Sequence, residues 1–99
     1  MVEIRRREGE VAVTGHADYA GKDEKDIVCA GVSALTITLA SGLEQLTEDS
    51  VVHTCKEGDV RISYGSLSKP GEVLMGSFFI GVGMIAEKYP DHVKLIDQA

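Results

Sequence analysis

The chain has 99 residues, 43% hydrophobic and 26% charged, the balance of a single globular domain with a modest core. Its formal net charge of −6 argues against a nucleic-acid-binding surface and suits a basic polypeptide partner, drawn in by steering. Two cysteines, Cys29 and Cys55, are too few for a disulfide framework or a paired-cysteine zinc site. No apolar run reads as long enough to span a bilayer, and Met1-Val2-Glu3-Ile4-Arg5 lacks the pattern of a signal peptide, so a cytoplasmic protein with reduced thiols is expected.

Val2, Ile4 and Arg6 alternate with Glu3, Arg5 and Arg7, which predicts a strand. Arg5-Arg6-Arg7 reads as an exposed sheet edge, where charge discourages edge-to-edge pairing. Glu8-Gly9-Glu10 is a turn, and residues 11–14 form a second strand that completes a hairpin. Residues 15–25 are polar and contain Gly15 and Gly21. This is the longest irregular stretch, a loop of the sort that often carries function.

From Asp26 the pattern turns helical, with Val28, Val32, Leu35, Leu39, Leu43 and Leu46 on one stripe. Asp26 is the N-cap candidate, with Asp23 as an earlier alternative, and Glu48-Asp49-Ser50 closes the helix. β-Branched residues and two glycines, Gly31 and Gly42, weaken its local propensity, so burial against a sheet must hold it. Residues 51–55 and 60–64 read as a second hairpin. Residues 66–71 form a turn in which Pro70 opens a second helix. That helix carries Leu74, Phe78, Val82, Ile85 and Tyr89, and Pro90 ends it. Residues 93–96 are a short extended segment at a sheet edge. The order ββαββα(β) predicts an α+β fold over residues 1–99, a mostly antiparallel sheet with two helices packed on it.

Chemistry concentrates between His16 and Cys29. With Asp26 as N-cap, Cys29 falls in the first helical turn, where free N–H groups and the helix dipole favour a thiolate. The same N–H groups would hold the oxyanion of an attacked carbonyl. The competing reading is a small buried hydrophobe beside Val28. His16 follows the second strand directly, so its imidazole would meet a thiol at the helix start, take its proton and later protonate a leaving amine. Its plain alternative is a surface histidine in a turn. Asp26 caps the helix, orients His16, or both. Ser33, one turn past Cys29, and the loop glycines Gly15 and Gly21 are substrate-binding candidates. His53 and Cys55 share a strand face without a sign of cooperation, His92 looks like a solvated turn residue, and no metal-ligand spacing is present.

The blocks Thr14-Gly15-His16-Ala17 and Asp26-Ile27-Val28-Cys29-Ala30-Gly31-Val32-Ser33-Ala34-Leu35, with a loop between them, resemble the signature of the ribosomal-processing cysteine protease family Prp (YsxB-like proteins). Ala86-Glu87-Lys88-Tyr89-Pro90 fits as well, and the similarity spans the chain. The resemblance implies a small homodimeric α+β enzyme without cofactor. It implies a Cys–His dyad, with Cys29 as nucleophile and His16 as general base and acid. Asp26 matches the family's important aspartate. It further implies removal of a short N-terminal extension from large-subunit ribosomal protein number twenty-seven, with a loop that shapes the site when substrate arrives. The family usually has glycine two residues before that aspartate, where this chain has Glu24. Two other readings stay open on the residues alone: a non-catalytic module that binds a ribosomal protein or the ribosome, and a thiol-redox regulator using Cys29.

Overall fold

The computed structural model describes residues 1–17 and 26–97. Two tight turns set the strands. Gly9 (φ 79°) joins β1 (Val2–Arg7) to β2 (Glu10–Thr14), and Gly58 (φ 71°) joins β3 (Val51–Lys56) to β4 (Asp59–Tyr64). Both hairpins need a residue in the left-handed region, which glycine enters without steric cost. β2 pairs antiparallel with β4 and fuses the hairpins, while β5 (Val93–Asp97) runs parallel to β1. The sheet order is β3-β4-β2-β1-β5.

The sheet is mostly antiparallel, as expected, with one parallel pair among antiparallel ones. It corrects one expectation: the arginine run is not an edge, because β5 docks along β1 and the Val2 amide donates to the His92 carbonyl at 2.8 Å. Strand alternation then splits the run between faces. Arg5 pairs with Glu3 at 3.0 Å, and the Arg6 guanidinium lies 4.9 Å from the centroid of the Phe79 ring.

α1 (Ile27–Leu46) and α2 (Lys69–Lys88) cover one face of the sheet. Val2, Ile4, Val11, Ile62 and Val93 meet Val28, Val32, Leu39 and Leu43 of α1 and Met75, Phe78 and Val82 of α2 in one buried cluster. Leu46 departs from the expected stripe: it lies in the last turn of α1 and is 70% exposed. The helices run antiparallel, because a Cβ at Gly31 would meet Ile85, one at Gly42 would meet Leu74, and one at Gly81 would press on Leu35. By length and mean hydropathy, 1.6, α1 could cross a bilayer, contrary to the reading of the sequence. Here its apolar stripe packs on the sheet and α2 instead.

α2 starts at Lys69, earlier than the predicted turn allowed. Ser68 caps it, accepting from the Gly71 amide at 3.2 Å, and the Asp49 carboxylate accepts from both the amide and the hydroxyl of Ser68. Asp49 therefore anchors the start of α2, while α1 has already ended at Leu46.

Candidate active site

Asp26 has an extended backbone (φ −82°, ψ 95°), and its carboxylate accepts from the Cys29 amide at 2.8 Å. Its carbonyl accepts from the Ala30 amide at 3.1 Å. The predicted N-cap is thus in place, and it puts Cys29 in the first turn of α1, half-buried against the core. The cap has a consequence for the expected oxyanion site. The Cys29 amide is engaged by Asp26, so an oxyanion using that donor must displace the carboxylate.

His16 is placed by the end of β2. Gly15 has φ 90°, and a Cβ there would collide with the Met1 carbonyl oxygen. Its amide donates to the Gly58 carbonyl at 2.8 Å, which ties the exit of β2 to the β3–β4 turn. The imidazole then lies against that turn, so close that a Cβ at Gly58 would sit 3.0 Å from Nε2 of His16. Beyond it, Ala17 is buried and its carbonyl accepts from Nδ1 of His92 at 2.8 Å. His92 is accordingly half-buried and braces the segment that carries His16, rather than standing in a solvated turn as expected.

Cys29, His16, Gly15 and Ser33 line a single cavity of about 430 Å³. Asp26 is not among its lining residues, and its carboxylate meets Cys29 at the helix cap. Gly21, Asp23, Glu24 and the rest of residues 18–25 lie outside the described residues. The cavity also gathers residues that sequence reasoning missed as site components: Gly58, His53, Cys55, Ile37 and Val60. The alternation of β3 already put His53 and Cys55 on one face, and the register carries that face onto Ile62 and Val60 of β4. What sequence lacked was the position of α1 above it.

No curated protein matches the sequence. The family model of the cysteine protease Prp matches residues 1–94. The chain belongs to this family. Its fold is that of solved Prp structures. The ribosomal processing protease Prp from S. aureus, in complex with a covalently linked product peptide, superposes with TM-score 0.85 at 23% identity, over 98% of this chain and 97% of that one. The same S. aureus protease with a substrate peptide gives TM-score 0.77 at 20% identity, again over 98% and 97%. SMU.848 from Streptococcus mutans gives TM-score 0.74 at 31% identity, over 98% of this chain and 93% of that one. As a Prp-family protein the chain is a cysteine protease, a hydrolase of peptide bonds.

Proposed function

We propose that this protease is a ribosomal-processing endopeptidase that removes the short N-terminal extension of large-subunit ribosomal protein number twenty-seven, working in the cytoplasm through a Cys29–His16 dyad. The observation that carries the reading is that a Prp-family chain puts a first-turn cysteine and the histidine after β2 in one cavity. The S. aureus Prp binds a substrate peptide and a covalently linked product peptide, which supports the same class of chemistry here.

In the proposed reaction His16 accepts the Cys29 proton as Sγ attacks the scissile carbonyl carbon. The tetrahedral oxyanion is held by amides at the start of α1 other than that of Cys29, which the Asp26 cap keeps engaged. As the carbonyl re-forms, the C–N bond breaks and His16 gives its proton to the leaving amine. A water, deprotonated by His16, then attacks the thioester and returns Sγ to the enzyme with the acid product released. Asp26 supports the step as the cap that fixes where Cys29 sits. Cys29→Ala is expected to abolish cleavage of the precursor, read by mass spectrometry of the extension product, and His16→Ala to reduce it by about a hundredfold or more. Binding of the precursor by wild-type protein without cleavage would favour the binding-module reading instead.

The proposal includes a homodimer built on α2. Val73, Ile80 and Met84 recur at helical spacing, and each is about two-thirds exposed (64%, 69% and 67%), an unpartnered apolar stripe. Ile80→Glu is expected to turn a sedimenting dimer into a monomer. A wild-type monomer at all concentrations would remove this part of the reading.

A further inference from the structure

The β3–β4 turn is a wall of the cavity to which the proposed reaction assigns no role. Lys56, Glu57, Gly58 and Asp59 all line the cavity, and the His16 imidazole lies against Gly58, where an added Cβ would sit 3.0 Å from Nε2. The two acids of the turn are not equivalent. Asp59 accepts from Nε of Arg61 at 3.0 Å, so a cation already answers its charge. Lys56, the other cation nearby, is the cross-strand partner of Asp59 and shares its face of the sheet. Glu57 is exposed and, among the described residues, enters no ion pair. The turn therefore offers one uncompensated carboxylate, on the residue next to the glycine that His16 packs on.

The chemistry decides which part of a substrate meets this turn. His16 gives its proton to the leaving amine, whose nitrogen belongs to the first residue after the scissile bond. The leaving segment thus starts at the imidazole, beside the turn. An extended chain advances about 3.3 Å per residue, so its second and third residues bring a long basic side chain within reach of Glu57. We propose that Glu57 makes the protease favour lysine or arginine at the second or third position after the scissile bond. The proposal rests on the Cys29–His16 reading above. An exposed ion pair adds little affinity, so Glu57 selects among substrates rather than holding them, and salt weakens the selection.

The probes are synthetic peptides spanning the extension junction of the ribosomal protein, with lysine or glutamate at both of these positions. In wild-type enzyme at low salt, kcat/KM is expected to be about tenfold higher for the lysine peptide than for the glutamate peptide. Glu57→Gln should bring that ratio close to one and Glu57→Lys should invert it, which a merely structural role of the turn would not do. Salt at about 1 M should shrink the wild-type ratio. Lysine or glutamate placed before the scissile bond should give a ratio that does not depend on residue 57. An unchanged ratio in Glu57→Gln, or no inversion in Glu57→Lys, would overturn the role of Glu57. Equal dependence on residue 57 from both sides of the bond would overturn the placement of the leaving segment. The same peptides, bound to Cys29→Ala variants and followed by fluorescence anisotropy, report without cleavage. A lysine preference in binding that follows residue 57, with no cleavage by wild-type enzyme, would uphold the cation site and sink the endopeptidase reading. Cleavage without any preference would do the reverse.

Discussion

Cys29 and His16 each have a neighbour that bears on where the side chain sits. For Cys29 that neighbour is Asp26, whose carboxylate holds the Cys29 amide at 2.8 Å. Asp26→Ala is expected to lower stability by about 1 kcal/mol, with Asp26→Asn close to wild type because the amide oxygen still caps. Thermal unfolding of both variants, set beside their cleavage rates, separates the cap from the charge: cleavage lost equally in the two would assign the effect to the carboxylate. For His16 the neighbour is Gly58. Gly58→Ala imposes an unfavourable φ of 71° and brings a methyl group to 3.0 Å from Nε2. Gly9→Ala imposes a similar φ of 79° in the other hairpin, away from His16. Both should lose about 1–2 kcal/mol of stability, but only Gly58→Ala should also reduce cleavage. Equal cleavage by the two variants would remove Gly58 from the placement of His16. The Asp26 cap was legible in the sequence because capping is local. Gly58 was not, because its role depends on β2 and the β3–β4 turn lying side by side, more than forty residues apart.

At the scale of elements, α1 joins core and site. Its inner stripe is buried with the sheet, its first turn carries Cys29, and its flank lines the cavity. Its poor local propensity is offset by close packing on α2, and the glycines of that contact differ in kind. A Cβ at Gly42 would make ordinary contact with Leu74 at 3.5 Å, whereas one at Gly81 would press on Leu35 at 2.9 Å. Gly42→Ala is therefore expected to stabilise by about 0.5–1 kcal/mol, the usual helical gain. Gly81→Ala should lose that gain to crowding and come out neutral or destabilising. Chemical denaturation of the pair tests this, and a Gly81→Ala protein as stable as Gly42→Ala would show that Leu35 moves aside freely. Periodicity revealed both helices and all the strands, since 3.6- and 2-residue repeats are written locally. It misjudged β1 as an edge, because the identity of a strand's neighbour is decided elsewhere in the chain. Here the deciding element is β5, whose five residues gave no hint of whether they pair with β1 or with another strand.

The whole molecule is closed by that same strand. Val2 and Ile4 of β1 stand opposite Val93 and Leu95 of β5, and the segment between α2 and β5 supplies His92, which holds the Ala17 carbonyl next to His16. His92→Ala is expected to leave most of the core intact and to reduce cleavage more than stability, since it frees the backbone beside His16. Full cleavage by a folded His92→Ala protein would contradict that brace.

The bond from His92 to Ala17 joins residues 75 positions apart, and this bears on the order in which the parts of the site come together during folding. The Asp26 cap forms around Cys29 from residues three apart, whereas the backbone beside His16 is steadied by a residue that only long-range docking brings in. Until β5 docks, β1 also lacks its outer neighbour. A chain whose β5 is undocked is therefore expected to lose the His92–Ala17 bond and to cleave poorly, even with α1 formed.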